Sequence, residues 1–342
     1  MQGVEHMKFS SEKRNAIIQY ILEKIAAGTP SLSKCVAETF DISQNTVHEY
    51  LSEMLEKGII SKEKRGEYVL VQKQYVYTLK RSRGELNSDT YAYDQCLHQH
   101  IEDLSDNVKR IWSYAMSEMV NNVMDHSGAE NLHILIIKDF LNTQVAIIDD
   151  GIGIFKKIMD HFSLATLEEA IGELFKGKLT TDAENHSGEG IFFTSRIMDK
   201  FFISSSQRIF ATTRFQDDTV AQLDRPREGT CVFMALSNFT HKEIRDVFDQ
   251  FSNEEGGFTK TALLMKNYFD TSPVSRSQAK RISTRLDQFE EVTLDFEGID
   301  WMGQGFAHQL FVVFQKAHPA IKLIPINMSE GVQSMYRHVI HT

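Results

Sequence analysis

Along residues 8–72 the apolar positions recur at helical intervals and are interrupted by turn-forming residues. Ile17, Ile21 and Ile25 form one stripe, Thr29-Pro30-Ser31 breaks the chain, and a second short helix is predicted over Ser33–Phe40. Asp41-Ile42-Ser43 then makes a turn in which Ser43 can cap a third helix, with Val47, Leu51, Met54 and Leu55 facing inward and Gly58 ending it. Ile59-Ile60 and Tyr68-Val69-Leu70 can pair across the charged turn KEKRGE, which adds a small hairpin to the three helices. Residues 73–95 are polar and Tyr-rich, a candidate first strand and a linker. From about 98 to 240 the pattern becomes a long amphipathic helix followed by strands. Leu132–Ile137 and Val145–Ile148 are nearly continuous apolar runs, as expected of strands covered by helices. After SNEEGGFTKTALLMKNYFDTS the pattern predicts a helix over Arg276–Phe289, a strand over Val292–Phe296, a helix over Gly305–Ala317, a strand over Ile321–Ile326 and a last helix. The expected class is an α+β / α/β multidomain chain divided at 8–72, 73–240 and 258–342.

Composition narrows the function more than the fold. The 342 residues are 42% hydrophobic and 25% charged, which excludes disordered and fibrous chains. Lys and Arg number 37 against 47 Asp and Glu, a net charge of −10, so any contact with nucleic acid must be local. No apolar run reaches the length of a bilayer span, and MQGVEHMKFSSEKR lacks the apolar centre of a signal peptide, so a cytoplasmic protein without a membrane partner is expected. Cys35, Cys96 and Cys231 stand far apart and read as buried small residues rather than a disulfide or zinc framework. The first part, 8–72, resembles a winged helix-turn-helix, whose third helix would present Gln44, Asn45, His48, Glu49, Ser52, Glu53 and Glu56 outward. Residues 1–72 carry nine Lys/Arg and ten Asp/Glu, weak for phosphate neutralisation, so DNA and a protein are equal candidates for the partner of this module.

Three segments of the central part carry chemistry. The segment YAMSEMVNNVMDHS, following Trp112-Ser113, is helical by pattern and places Glu118, Asn122 and His126 on one stripe at i, i+4, i+8. The strand Val145–Ile148 runs directly into Asp149-Asp150-Gly151-Ile152-Gly153, a carboxylate at a buried strand end followed by two glycines that let backbone approach a flat ligand. His186-Ser187-Gly188-Glu189-Gly190-Ile191 leads into a helix whose first N–H groups can face phosphate. Singly, each is an ordinary turn, cap or solvated helix face. Their order is specific.

Glu118 with Asn122, then DDGIG, then SGEGI, then Glu228-Gly229-Thr230 before the strand CVFMAL resemble the four motif boxes of the Bergerat-fold ATPases, the superfamily of gyrase, histidine kinases and mismatch-repair ATPases (GHKL). Within it, EMVNNVMDHS most resembles the anti-sigma-factor serine kinases. The resemblance implies a Bergerat α/β sandwich over 73–240 that binds ATP and Mg²⁺. Asn122 would hold the metal through its side-chain oxygen, and Glu118 would orient or deprotonate the attacking water or hydroxyl. Asp149 would accept from the adenine amino group and thereby reject guanine. Gly151 and Gly153 would line adenine and ribose, Gly188 and Gly190 would take the phosphates, and Thr230 would complete the site.

Gly153 and Gly188 are separated by 34 residues, a natural lid in which Lys176 and Lys178 are candidates for reaching the triphosphate. His98 and His100 lie only 20 and 18 residues before Glu118, too few for the phosphoacceptor hairpin of a two-component kinase. The third part, EEVTLDFEGIDWMGQGFAHQLF, resembles a STAS-like domain, yet Trp301-Met302-Gly303-Gln304-Gly305 stands where such domains carry a phosphorylated serine. Asp295 and Asp300 read as turn and strand-end residues. The expected function is an ATP-operated regulatory switch with slow hydrolysis, with a kinase acting in trans and a scaffold with a degenerate site as alternatives, and a homodimer among the assemblies to look for.

Overall fold

The computed structural model describes residues 11–64, 66–179, 181, 188–213, 216–269 and 272–341. The chain divides into two compact units. The first comprises the chain up to Val76 with Leu135–Val145 and Leu236–Phe239; the second comprises Tyr77–Ile134, Ala146–Ala235 and Thr240–Thr342. The second unit therefore holds most of 73–240 together with 258–342.

In the first unit, α1 (Ser11–Ala26), α2 (Leu32–Phe40) and α3 (Gln44–Glu56) precede β1 (Ile60–Lys64) and β2 (Glu67–Leu70), an antiparallel pair in the register Ile60↔Leu70. The turns between the helices are sharp because Ser31 and Asp41 adopt left-handed conformations, with φ of 53° and 51°. Ser43 caps α3 as expected, its hydroxyl accepting the Thr46 N–H at 3.1 Å. Of the predicted inward residues, Ile17, Ile21, Val47, Leu51 and Met54 are almost fully buried in one core with Leu22, Val36 and Ile60, each contributing roughly 1.5–3 kcal/mol by burial, whereas Leu55 is only partly buried against it. On the outer side Glu53 pairs with Arg14 and with Lys57, and the bond from Arg14 holds its carboxyl at about 2. Of the cysteines, Cys96 is buried, whereas Cys35 and Cys231 are only partly so.

A five-stranded sheet follows in the order β3-β4-β5-β7-β6, built from β3 (Lys73–Lys80), β4 (Asn131–Lys138), β5 (Asn142–Asp149), β6 (Lys200–Thr213) and β7 (Gln216–Ser237). Before β4 the chain forms α4 (Asp89–Ala92), a π-helical stretch over Tyr93–His98, α5 (Gln99–Ile101) and α6 (Asp106–Asn122). α6 starts on Ser105, whose hydroxyl accepts the Val108 N–H at 3.3 Å. It buries Val108, Ile111, Trp112, Ala115, Met116, Met119 and Val120, a 3-1-3-1 spacing that defines one face and leaves Glu118, Asn121 and Asn122 beside it. The segment between β5 and β6 forms α7 (Ile154–His161), α8 (Leu167–Lys176) and α9 (Gly190–Ile197).

The C-terminal part contains α10 (Ile244–Phe251) and a parallel three-stranded sheet in the order β10-β9-β8. Its strands are β8 (Lys260–Leu264), β9 (Glu291–Asp295) and β10 (Lys322–Ile326), with Glu291 opposite both Lys260 and Lys322. The crossovers are α11 (Arg276–Ile282) and the chain α12 (Gln304–His308), a π-helical stretch and α13 (Gln315–Ala317), and α14 (Glu330–Ile340) follows β10. The helix expected over 276–289 stops at Ile282. Ser283-Thr284 lead into Arg285 with φ of 60°, and only a short 3₁₀ turn, Leu286–Gln288, remains. Asp295 acts as a turn residue as read, accepting the Glu297 N–H at 2.9 Å and the Asn327 side chain at 3.0 Å.

Candidate functional site

Described residues from several stretches of sequence line a cavity of about 280 Å³ in the second unit, among them Glu118 and Asn122 of α6, Asp149 at the end of β5, Gly153 and the first turns of α7, Gly188 to Ile191 at the start of α9, and Thr230 of β7. Where α6 ends, the helix widens into a π-helical turn, Val123–Ser127, that brings His126 and Ser127 to the same wall. This turn also anchors the next segment, because Ser127 accepts the Ile152 N–H on its carbonyl at 3.0 Å.

Two adjacent aspartates take opposite roles. Asp149 is 5% exposed, and burial pushes its carboxyl above the ordinary range although the Gly151 and Thr230 groups that donate to it pull the other way. Its Oδ1 accepts the Gly151 N–H at 2.8 Å. Asp150 points elsewhere: its Oδ1 accepts the backbone N–H of Glu130 and of Asn131 at 3.0 Å, and its Oδ2 accepts the Asn131 side chain at 2.7 Å. Burial pushes that carboxyl up, but these hydrogen bonds outweigh it and the net shift is downward. Asp150 thus pins the start of β4, and Asp149 faces the cavity.

A bulge in β7 supplies the opposite wall. Ser205 pairs with Thr230 but Ser206 pairs with Arg227, so Glu228-Gly229 is extruded from the ladder. Gly229 has φ of 68°, and a methyl group there would overlap the Asp149 carbonyl. Only glycine lets β7 approach β5 this closely, which sets the Thr230 hydroxyl both to bond Asp149 and to receive the Ile154 N–H at 3.0 Å.

At the other end, α9 begins against α6. A methyl group on Gly190 would overlap the Glu118 carboxylate, and one on Gly188 would overlap the backbone of Leu179. Asn122 donates its side-chain nitrogen to the Glu118 carbonyl at 2.8 Å, which makes Oδ1 the group it can offer to a cation. Among the described residues no group of three or more His, Cys, Asp or Glu could hold a metal ion. A hard cation at Asn122 would therefore take most of its oxygens from a ligand and water, a donor set that suits Mg²⁺ on phosphates. Burial first, and then the nearby charges of Glu118 and Glu189, raise the Tyr114 hydroxyl above its ordinary range.

The described part of the 34-residue segment read as a lid holds α7 and α8, and three of the predicted ligand residues are not among the described residues of the cavity wall. Gly151 is spent on the turn, packed against the Ser127 carbonyl. Lys176 is fully buried at the end of α8, donating to Glu173 and, at 2.8 Å, to the Thr284 carbonyl. Burial lowers its ammonium, and Glu173 only partly restores it. Lys178 donates to the Gln288 carbonyl at 2.8 Å. Arg285 closes the cluster, bonding Glu173 Oε2 at 3.2 Å and the Gly177 and Lys178 carbonyls at 3.3 and 2.5 Å. These cations tie α8 to residues 284–288 because each finds a carboxylate or carbonyl there that a solvent-facing lysine would lack. Gly172 and Gly177 lie against the rings of Tyr268 and Phe258, and the Tyr268 hydroxyl donates to the Gly172 carbonyl at 3.0 Å. The same helix reaches the cavity through Leu174, and Leu179 lines it just beyond. His186 and Ser187 lie outside the described residues.

Sequence reasoning missed Lys157, Glu189 and Thr181 among the lining residues. Lys157 was visible in principle: Ile154, Lys157 and Ile158 share the i, i+3, i+4 stripe of α7, and all three face the cavity.

A family model described as a STAS-like domain of unknown function (DUF4325) matches residues 278–333. That span runs from within α11 through β9 and β10 to the first turn of α14, so the C-terminal part carries a STAS-like domain. A comparison with curated proteins finds no match to the chain. No described helix is long and apolar enough to cross a membrane.

Proposed function

We propose that the cavity is a Bergerat-type ATP–Mg²⁺ site and that the chain is a nucleotide-operated switch coupling this site to its STAS-like domain. The observation that carries the reading is the convergence of Glu118, Asn122, Asp149, Gly153, Gly188, Gly190 and Thr230, scattered over more than a hundred positions, on one cavity wall. Bound ATP would supply a transferable phosphoryl group and, with Mg²⁺, the charge that orders the surrounding loops. The rest is done by side chains of this chain. Asp149 offers a buried acceptor suited to an amino group of a base, and a base that presents an acceptor there leaves the carboxylate unpaired. Asn122 offers its Oδ1 to the metal. Glu118, held beside the α9 N-terminus, can take the proton of an attacking water.

The coupling follows from α8. Leu174 and Leu179 line the cavity, while Glu173, Lys176 and Lys178 in the same stretch engage Thr284, Arg285 and Gln288 of the STAS-like domain. Any ligand-dependent movement of this stretch is thus communicated to a second domain. We read residues 8–72 as a winged helix and the output module. Glu53 on α3 is neutralised by Arg14 and Lys57, which weakens repulsion from a polyanion at that position.

Calorimetry on the full chain with ATP and Mg²⁺ tests the site, and heat of binding is expected with ATP but not with GTP. Hydrogen exchange with and without a nonhydrolysable ATP analogue tests the switch: amides of residues 167–179 and 284–288 are expected to gain protection together. Protection confined to the cavity would leave a nucleotide site without coupling. Labelled ATP that yields phosphate without labelled protein supports the switch, whereas label on a serine or threonine of a partner assigns the chain to the kinases.

A further inference from the structure

The π-helical turn Val123–Ser127 stands between the two halves of the proposed site. Asn122 immediately precedes it, and the Ser127 carbonyl at its end accepts the Ile152 N–H of the Asp149–Gly153 turn at 3.0 Å. Turns of this kind are rare and frequently mark functional sites. Carbonyls at a helix end that no longer meet a helical N–H need donors from elsewhere. Arg81 supplies them from outside the helix. It opens a 3₁₀ turn, Arg81–Arg83, directly after β3, and is half-buried. Its Nη2 donates to the Met124 carbonyl at 3.0 Å and to the Val123 carbonyl at 3.4 Å, its Nε to the Ala129 carbonyl at 2.8 Å, and its backbone N–H to the Glu130 carbonyl at 2.9 Å. One planar guanidinium thus spans both ends of the 123–129 turn, a geometry that a lysine ammonium does not reproduce. The Ser127 hydroxyl closes the turn from within, donating to the Val123 carbonyl at 2.6 Å and accepting the Ala129 N–H at 2.9 Å.

We propose that Arg81 is a positioning residue of this site: by gripping the 123–129 turn it fixes the Asn122 amide relative to the Asp149–Gly153 turn, and so sets the span between the metal and the base of the bound nucleotide. The inference rests on the ATP reading and adds to it the group that holds the two halves in register. The Asp149 half has anchors of its own, the Gly151 N–H on Asp149 at 2.8 Å and the Ile154 N–H on Thr230 at 3.0 Å. Loss of Arg81 therefore frees the Asn122 end and leaves the Asp149 end in place. The competing role is purely structural, a cation capping helix carbonyls for stability alone.

Arg81→Ala, and Arg81→Lys, which keeps the charge without the planar fork, separate the two roles in the full chain. Without nucleotide, the Ile152 amide is expected to exchange its hydrogen roughly tenfold faster in the Ala variant, read by NMR, with the Ile147 amide of β5 unchanged within about twofold. With Mg²⁺ present, calorimetry should show ATP binding weakened roughly tenfold and adenosine binding unchanged within about twofold, since adenosine engages only the Asp149 half. Guanidinium ion at about 20 mM, far below the molar range that unfolds proteins, should restore part of the ATP affinity to the Ala variant and none to the Lys variant, whose side chain fills the space. Should thermal unfolding show that the Ala variant does not fold, the Lys variant carries the exchange and binding readings, each expected in the same direction. Unchanged Ile152 exchange, or equal loss for adenosine and ATP, overturns the positioning role and leaves the ATP reading standing. A wild-type chain that binds neither ligand overturns the ATP reading, and the role of Arg81 in it, even where Ile152 responds.

Discussion

The cavity and the seam between α8 and the STAS-like domain are both rich in charge, yet they are organised oppositely. In the seam, Glu173 is flanked by Lys176 and Arg285, and the remaining donors end on the carbonyls of Thr284, Gly177, Lys178 and Gln288. The three cations there outnumber the one carboxylate, but each of them bonds to a protein acceptor. In the cavity of about 280 Å³, the described lining residues include three carboxylates, Glu118, Asp149 and Glu189, and one lysine, Lys157. On the reading proposed above, a bound metal and nucleotide would complete this set. Conversely, a buried lysine is no sign of a ligand site when its partners are already present.

The sharpest way to break this comparison is to remove one charge from each region. Glu173→Gln leaves Lys176 and Arg285 facing each other without their anion, and unfolding by denaturant should show a loss of about 3–5 kcal/mol. Glu118→Gln, in the cavity, should cost no more than about 1 kcal/mol. Equal losses would erase the distinction. Next in size is Asn122→Ala, expected to weaken Mg²⁺-dependent ATP binding by roughly a hundredfold, measured by calorimetry, with the melting temperature nearly unchanged. Gly190→Ala is smaller. Its methyl group pushes the Glu118 carboxylate aside, so nucleotide should still bind while phosphate release falls roughly tenfold, about 1.4 kcal/mol.

The smallest effect is one of sign. Because Asp149 is raised by burial, it holds its proton more tightly in the folded chain than in the unfolded one. Its contribution favours the fold below the ordinary carboxylate range and is lost as pH rises through the raised value. Asp149→Asn removes that titration. Without nucleotide, the variant should gain stability relative to the wild type as pH climbs from about 4 to about 7, followed by thermal unfolding. A gap that narrows instead would show that the Gly151 and Thr230 donors outweigh burial.

Much of the cavity lining was readable because its residues sit at short, regular spacings. Glu118 and Asn122 are one helical turn apart, and DDGIG follows an apolar strand without interruption, so local rules place both. The STAS-like part was expected over 258–342 from the resemblance of EEVTLDFEGIDWMGQGFAHQLF to such domains, and the family model matches 278–333 within it. Lys176 and Lys178 were misplaced because their partners, Thr284 and Gln288, lie more than a hundred residues onward, and no local pattern announces them. LEEAIGELFK did contain a warning: with Ala170, Ile171, Leu174 and Phe175 all apolar, α8 has almost no solvent face, and a lysine in it must find company inside. The β7 bulge was invisible, since Glu228-Gly229 leaves the ladder only because Asp149 stands opposite.

The seam has one more consequence, which follows from both of its sides belonging to a single polypeptide. A regulator that must find a separate partner loses occupancy when either is scarce, whereas a tethered pair meets at an effective concentration on the order of millimolar. The grip of Arg285 on Glu173 is therefore immune to dilution. If the chain is the switch proposed above, whatever loosens this contact must compete with a neighbour that never diffuses away, and the threshold of the response would be set by the strength of the contact and not by the abundance of the protein.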